Sequence, residues 1–489
     1  MKIKPILSGV AVIALAAGVI GAAFTLPART TVAETSPEYV PMGQTFSLAC
    51  TGGATRTVES GVNVSHEAES ISGQGVVFVD GAQWFDIAQQ SSVDATTIVS
   101  HAESDLGVTQ ATGVVYASDH QIKDGHIMGA SIVRIGGADM RGLAANPCQW
   151  ARQSVWLSGS QAKVGTYNSL AILNPGENPI TVSVSAYGAT GPLELTSNHH
   201  IVVPAKSRSQ ISLDGLIPDT AQLALHLTSD SGVFSASLQT NSLDGLTPQG
   251  MSFVSHSDSG KNIVIPGLVI PENRAVEADN AEKHHASVRI VNPQQEEITA
   301  HVSLIGEREH ALAGAQDVRL PAQSVIDLTL DGIAPGAYAV RVAADQPITG
   351  SVNMSIEGPA GKDQAWIGAQ PSLRTGGAVV TGTASLVLTT PTNADVTITG
   401  YDSHGQISHE EQRHITGTQQ IELPDGLDYV WVKASSSITG SIYATQPLNS
   451  GTGITAIPLT AQGTDAQGVR VNIHTNADNP RPADPFPSR

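Results

Sequence analysis

The 489-residue sequence is poor in charge, in aromatic rings and in cysteine. Charged residues make up 14% of the chain, aromatic residues 4%, and there are two cysteines. Lys and Arg number 25 against 44 Asp and Glu, which gives a formal net charge of −19. Nucleic-acid binding needs clustered cationic side chains that displace counterions from phosphates. We therefore expect no nucleic-acid partner, and we expect cores built from Val, Ile, Leu and Ala.

The sequence also lacks catalytic motifs of useful specificity. It has no G-x-S-x-G elbow, no phosphate-binding glycine loop and no H-E-x-x-H zinc motif. The nearest approach is His409–His414, whose two histidines are five residues apart and so do not share one helix face. A solvated loop in a hairpin explains this segment better than a metal site. The sequence predicts a protein that is not an enzyme, with no catalytic residue and no cofactor.

Histidines and carboxylates are denser in the N-terminal part of the chain. The groups are His66, Glu67 and Glu69; His101, Glu103 and Asp105; and Asp119, His120, Asp124 and His126. Imidazole and carboxylate suit zinc or calcium where such groups converge. Exposed polar loops explain the same composition, and we assign no metal ligand. The pairs His199-His200 and His284-His285 are also expected in surface loops.

The first 33 residues are typical of an export signal. Lys2 and Lys4 precede an uncharged stretch from Ile6 to Phe24. A signal peptidase could cut after Ala33, or the stretch could stay as an anchor, since a helix of this length spans ~28 Å at ~1.5 Å per residue. Either way, positive charge on the N-terminal side places the rest of the chain outside. We expect an extracytoplasmic protein on the cell membrane, or one secreted after cleavage.

Cys50 and Cys148 are an even pair in a chain predicted to be exported, which indicates one disulfide. A crosslink across about a hundred residues is worth ~4–5 kcal/mol in the chain-entropy model. It would tie together the ends of an N-terminal domain. Redox chemistry is the alternative, but the two residues lack a C-x-x-C spacing.

Three segments of similar sequence indicate a tandem repeat. They read S-L-A-I-L-N-P-G-E-N-P-I-T-V-S-V from Ser169, S-V-R-I-V-N-P-Q-Q-E-E-I-T-A-H-V from Ser287 and S-L-V-L-T-T-P-T-N-A-D-V-T-I-T-G from Ser385. Each combines a strand, an Asn-Pro or Thr-Pro dipeptide that marks the strand end, a polar turn and a second strand. Apolar residues recur at period two, as at Val182 and Val184, which predicts half-buried antiparallel strands.

The predicted fold class is all-β, with tandem antiparallel Ig-like β-sandwich domains after an N-terminal signal or anchor helix. The predicted divisions are 1–33 for the signal or anchor, 34–153 for a divergent β domain with the disulfide, 154–260, 261–376 and 377–462 for three sandwich repeats, and 463–489 for a disordered tail. A short helix around Trp84–Gln90 is a further candidate. Trp84 and Trp156 could stack on sugars, but their apolar neighbours favour core packing. Trp150 is expected beside the disulfide.

An ordered set of motifs resembles a known family. R-G-L-A-A-N-P-C from Arg141, V-W-L-S-G from Val155 and L-A-I-L-N-P-G from Leu170 resemble the actinobacterial exported proteins grouped as DUF5719, a domain of unknown function. The resemblance implies an envelope protein with β-sandwich repeats and no established catalytic residues. We expect a structural scaffold or interaction module whose partners are cell-envelope proteins or glycans. The alternatives are a protein that binds cell-wall glycan or another surface ligand, and a metal-dependent enzyme in the N-terminal domain.

Overall fold

A computed structural model confirms that the protein is all-β, with no helix among the residues it describes. These are residues 45–55, 71–78, 82–94, 97–103, 112–118, 126–137, 139–196, 200–272, 282–449 and 451–462. The predicted export segment 1–33 and the predicted tail 463–489 lie outside them. Within the described ranges, no helix has the length and apolarity needed to cross a membrane.

The strands form four consecutive groups, called units 1 to 4 here. Unit 1 contains β1 (Thr45–Thr51), β2 (Ile71–Phe78), β3 (Gln83–Asp86), β4 (Ser91–Asp94), β5 (Thr97–Glu103), β6 (Thr112–Ser118), β7 (Met128–Ile135), β8 (Gly142–Pro147) and β9 (Gln149–Trp150). Unit 2 contains β10 (Ser154–Ser158), β11 (Thr166–Asn174), β12 (Ile180–Gly188), β13 (Gly191–Leu193), β14 (His200–Val203), β15 (Ser207–Ser212), β16 (Ala224–Ser229), β17 (Ser235–Asp244) and β18 (Thr247–Val254). Unit 3 contains β19 (Ser259–Ile270), β20 (Lys283–Val291), β21 (Ile298–Ile305), β22 (Glu309–Ala311), β23 (Val318–Leu320), β24 (Val325–Thr329), β25 (Gly336–Gly358) and β26 (Gly361–Gly368). Unit 4 contains β27 (Leu373–Val379), β28 (Thr383–Tyr401), β29 (Ile407–Glu422), β30 (Tyr429–Pro447), β31 (Thr452–Pro458) and β32 (Thr460–Ala461).

One strand order recurs in all four units. In unit 1 the sheets run β4-β3-β6-β1-β9 and β5-β2-β7-β8, and in unit 2 they run β13-β12-β16-β10 and β15-β11-β17-β18. Units 3 and 4 have the same strand order. Their long strands are each shared between the two sheets, so that one half of the strand pairs in one sheet and the other half pairs in the other; these strands are β25, β28, β29 and β30. The pairing is antiparallel throughout the named sheets. Unit 1 is thus a fourth copy of the repeated unit, which the sequence did not reveal.

Alternation of side chains explains why each unit has a core. In β12, Val182 and Val184 are buried, while Thr181 and Ser185 on either side of this pair are exposed. The inward residues of both sheets of unit 2 form one cluster with Phe234, because successive strand residues face opposite sides of a sheet. The period-two prediction is confirmed at these positions.

The Asn-Pro dipeptides of units 2 and 3 build the same corner. The Asn174 amide donates to the carbonyl oxygens of three residues, at 2.8 to 3.2 Å. Asn292 makes the equivalent three bonds, at 2.8 to 3.0 Å. In each case the side-chain oxygen accepts from the backbone amide two residues on, Gly176 or Gln294, at 2.8 or 2.9 Å. The motif therefore has a structural explanation, since a buried asparagine satisfies backbone groups that the proline-ended strand leaves unpaired.

Five local predictions are wrong, the first being that His200 lies in a loop, because it begins β14. Thr390-Pro391 does not end a strand, because β28 continues through it with a register shift between Thr389 and Val396. Residues 84–90 form a strand and turn instead of a helix. The turn is closed by Asp86 Oδ1, which accepts from two backbone amides at 2.8 and 2.9 Å. His409–His414 lies within β29 and His284-His285 lies within β20, so neither segment is a loop.

The four units close into a ring. One strand from each unit contacts the next in the cycle β8, β18, β26, β31 and back to β8, and β8 also contacts β26. Between units 2 and 3, the buried guanidinium of Arg289 pairs with Asp327 at 2.7 Å, donates to the Leu223 carbonyl at 2.9 Å and lies over the Trp366 ring. Between units 4 and 1, Trp150 Nε1 donates to the Ala461 carbonyl at 2.9 Å. The described residues from 45 onward accordingly belong to one compact body.

Candidate functional site

Three glycines and one aspartate occupy equivalent positions at the centre of the ring, here called the central junction. In every unit, the chain returns to pair with the first strand of that unit seven residues after the central position. The central residues are Gly142, Gly250, Asp363 and Gly453, and the corresponding pairing residues are Gln149, Ser257, Gln370 and Thr460. A Cβ on Gly142 would lie 2.6 Å from Asp363 Oδ1, and one on Gly250 would lie 2.8 Å from Asp363 Cα. Glycine at these positions lets the strands approach closely.

Asp363 links three units through one carboxylate. Its Oδ2 accepts from the backbone amides of Leu143 in unit 1, at 3.0 Å, and Ile454 in unit 4, at 2.8 Å. The side chain is fully buried, and Oδ1 has no hydrogen-bond partner among the described residues. Burial raises the pKa of Asp363 to about 7, although the backbone amides and the nearby Arg141 oppose the rise. A buried carboxylate at this position acts as a structural link between units.

A second polar cluster lies close to the disulfide. His256 Nε2 lies 3.0 Å from Asp258 Oδ1, and Arg152 donates to the same oxygen at 3.1 Å. Burial lowers the pKa of His256, so the imidazole is neutral near pH 7 and its Nδ1 has no partner among the described residues. The cavity beside it measures only about 50 Å³ and is lined by Cys148 and Trp150 among others. It has room for little more than water.

A cleft of about 880 Å³ lies between units 3 and 4 and is called the inter-unit cleft here. Its unit 3 wall is made by Val269, Ile270, Pro271, Glu272, Glu282, His284, Pro335, Gly336, Ile356 and Pro359, and its unit 4 wall by Thr383, Ala384, Ser385, Gln420, Glu422, Tyr443, Thr445, Gly451 and Thr452. Its volume is that of a small-molecule site. Hydroxyl, amide and carboxylate groups give it hydrogen-bonding capacity, and no lysine or arginine is among these lining residues.

Strand register explains how the unit 4 wall acquires its polar face. Ser385 lies directly opposite Tyr443 on one side and Glu422 on the other, while Thr383 pairs with Thr445. Directly paired residues and residues two apart share one face of a sheet. Sequence alternation therefore aligns these side chains toward unit 3 without any special loop.

The residues singled out from the sequence are mostly structural where the structure describes them. Cys50 and Cys148 form a disulfide with a Cα–Cα distance of 4.2 Å, and Trp150 belongs to the same core cluster. Trp84 is 4% exposed and Trp156 is 5% exposed, so both pack internally, and Trp156 stacks on His226.

Of the ten residues in the candidate metal groups, His126 is the one whose side chain the structure describes. His126 stacks on Trp431 with ring centroids 4.0 Å apart. The side chains of the other nine residues in the three groups lie outside the described set. Within that set, no three His, Cys, Asp or Glu residues are placed to hold a metal ion. His409 and His414 pair with different carboxylates, at Glu411 and Asp395.

Neither Asp363 nor the inter-unit cleft was found from the sequence. A signal for Asp363 was available, because it replaces a glycine that recurs in the other three units. The cleft had none, because its two walls come from different units and the sequence does not show their contact.

Comparison with known proteins places the chain in a family. A model described as "Family of unknown function (DUF5719)" matches residues 103–424. The chain belongs to the DUF5719 family. The resemblance carried by Arg141, Val155 and Leu170 is thereby confirmed.

Other comparisons add little to the DUF5719 assignment. A search of curated proteins finds no match. One solved structure, a Streptomyces avermitilis alpha-L-rhamnosidase complexed with L-rhamnose, is 9% identical with a TM-score of 0.13. The aligned region covers 79% of this chain and 54% of that one, so the chain spans about half of that protein's length. This similarity is too low to support an inference about function.

Proposed function

We propose that this DUF5719 protein is an exported, non-catalytic scaffold or interaction module of the cell envelope. The observation that carries the proposal is the closed ring of four equivalent units, joined by buried polar contacts such as those of Asp363 and Arg289. Such a body holds its outer surfaces in fixed relation, as a scaffold requires. The disulfide agrees with an oxidising, extracytoplasmic location.

We further propose that each unit is an Ig-like sandwich, within the domain limits 34–153, 154–260, 261–376 and 377–462. Residues 1–33 would export the chain and either anchor it in the membrane or be removed from it. Residues 463–489 would form a tail. The acidic balance of the sequence makes nucleic acid an unsuitable partner.

Deletion of the gene in the native bacterium tests the scaffold role. Loss of a structural envelope component should raise permeability to detergent and to a small dye. Complementation with the full chain should restore the barrier, whereas a chain lacking residues 1–33 should stay in the cytoplasm and fail to restore it. An envelope that is unchanged by the deletion contradicts the proposal.

A second candidate function is binding of cell-wall glycan or another surface ligand. The size and polar lining of the inter-unit cleft favour it. Purified protein should then be retained by insoluble cell-wall material and released by soluble wall fragments. Absence of retention under all salt conditions would contradict this second function and leave the scaffold role standing.

A further inference from the structure

We propose that the inter-unit cleft binds an oligosaccharide that carries free ammonium groups. This inference deepens the second candidate function and rests on it. The charge of the cleft is the first argument. Among the described residues, its ionisable lining consists of Glu272, Glu282, Glu422, His284 and Tyr443. Burial lowers the pKa of His284 and raises the pKa of Tyr443, so both are neutral near pH 7. The Arg141 guanidinium lies close to Glu282 beside Gly451, so Glu272 and Glu422 supply the uncompensated negative charge among the described lining residues.

Tyr443 is the second and independent argument. Its side chain is 7% exposed and packs with the core of unit 3, yet it lines the cleft. Its hydroxyl makes no hydrogen bond to any described residue. Because burial raises its pKa, this hydroxyl stays protonated and remains available as a donor to a ligand oxygen. The hydroxyl is not among the fully enclosed polar atoms of the described residues, so it opens onto the cleft, where a ligand oxygen can accept its hydrogen bond in place of water.

The polar groups around Tyr443 suit a sugar more than a simple cation. Glu282 accepts from the Thr452 hydroxyl at 3.0 Å, and the Gln420 amide donates to Ser385 at 2.9 Å and to Glu422 at 3.2 Å. These bonds hold carboxylate, amide and hydroxyl groups in fixed positions and leave some of their hydrogen-bond donors and acceptors unused. Hydroxyls of a sugar can both donate to and accept from such groups, whereas an inorganic cation needs converging oxygen ligands that this site lacks.

Apolar residues on the unit 3 wall complete the match. Val269, Pro271, Pro335, Ile356 and Pro359 line the cleft opposite the polar face of unit 4. The C–H face of a sugar ring can pack on such a surface while its hydroxyls and ammonium groups face the polar wall. A basic peptide would satisfy the carboxylates but would leave most of the hydroxyl and amide groups without a complementary partner.

Calorimetric titration of the full exported chain tests the inference. The probes are glucosamine tetrasaccharide, its N-acetylated counterpart and tetralysine. We expect the glucosamine form to bind at least tenfold more tightly than either of the others, because only it combines ammonium groups with sugar hydroxyls. Binding should weaken as salt rises, since ion pairs are screened. Equal binding of the N-acetylated form, or tighter binding of tetralysine, would overturn the inference.

Matched variants locate the binding in the cleft. Glu422→Gln and Tyr443→Phe should each lower affinity for the glucosamine form, by about tenfold for the lost charge-assisted bond and about fivefold for the lost neutral one. Glu296→Gln makes the same charge change at an exposed turn of unit 3 and should bind as the parent does. Unaltered affinity in both cleft variants would exclude this site. If no tetrasaccharide binds while whole cell-wall material is still retained, the ligand class is wrong and the second candidate function survives.

Discussion

Replacing Asp363 with asparagine should abolish a pH dependence of stability that the central junction creates. The carboxyl has a pKa of about 7 in the folded chain against an ordinary 3.8. Because the pKa is higher in the folded chain, the protonated carboxyl contributes to the stability of the fold. This contribution is complete below pH 4 and is lost as the pH rises through 7. At 1.36 kcal/mol per unit, the loss amounts to about 4 kcal/mol between pH 4 and pH 8. Asparagine keeps an oxygen for the amides of Leu143 and Ile454 but does not ionise.

Thermal unfolding at several pH values measures the effect. Parent and Asp363→Asn should unfold at similar temperatures at pH 4, and the variant should unfold about 5 °C higher at pH 8, since a body of about 400 residues changes entropy by about 0.9 kcal/mol per degree. Asp345→Asn is the control, because that side chain is exposed and makes no ion pair or hydrogen bond with any described residue, so the change should leave the profile unaltered. A constant difference between parent and Asp363→Asn at pH 4 and pH 8 would refute the reasoning. It would mean that Arg141 and the backbone amides offset the buried charge completely.

Three further predictions concern stability and are checked by urea unfolding of the purified chain. Replacing Cys50 and Cys148 by alanine should cost about 4 kcal/mol, as should reduction of the parent, whereas reduction should leave the double variant unchanged. Gly250→Ala should cost more than Gly215→Ala: both glycines have positive φ, but an added Cβ meets the Asp363 backbone at 2.8 Å in the first and open space in the second. Equal losses of stability in the two variants would show that the central junction can rearrange to accommodate a Cβ at position 250. Asn292→Ala should cost about 2 to 4 kcal/mol by leaving three carbonyls without their amide donor, and a cost below 1 kcal/mol would contradict the role given to the Asn-Pro corner.

The sequence predicts the local structure of this protein better than its assembly. Period-two alternation identifies strands such as β12 because burial on one face of a sheet leaves a direct trace in composition. Asn174-Pro175 marks a true strand end, whereas Thr390-Pro391 does not. The difference is that Asn174 supplies amide donors to three carbonyls and Thr390 supplies a single hydroxyl bond to Ser437. The same dipeptide pattern therefore has two outcomes, and the residue before proline decides between them.

The sequence did not show that unit 1 is a fourth copy of the repeat, and the reason is different. Unit 1 shares its strand order with the other units and its central glycine with units 2 and 4, but its sequence lacks an Asn-Pro dipeptide between its second and third strands. Strand order is set by pairing between distant residues, and a single sequence does not display such pairs. Candidate sites suffer in the same way. Asp363 contacts Leu143 and Ile454 across 220 and 91 residues, so its role depends on closure of the ring.

Ring closure also bears on what the DUF5719 match represents. The matched residues 103–424 begin inside unit 1 and end inside unit 4. They include Gly142, Gly250 and Asp363 but omit Cys50 and the whole of β31, which supplies the Ile454 amide to Asp363. A fragment limited to the match would leave a buried carboxylate with one fewer donor and would expose the apolar contacts that unit 4 makes with unit 1. The matched segment is therefore a region of sequence similarity. The structure that folds is the whole ring, which needs this segment and the residues before and after it.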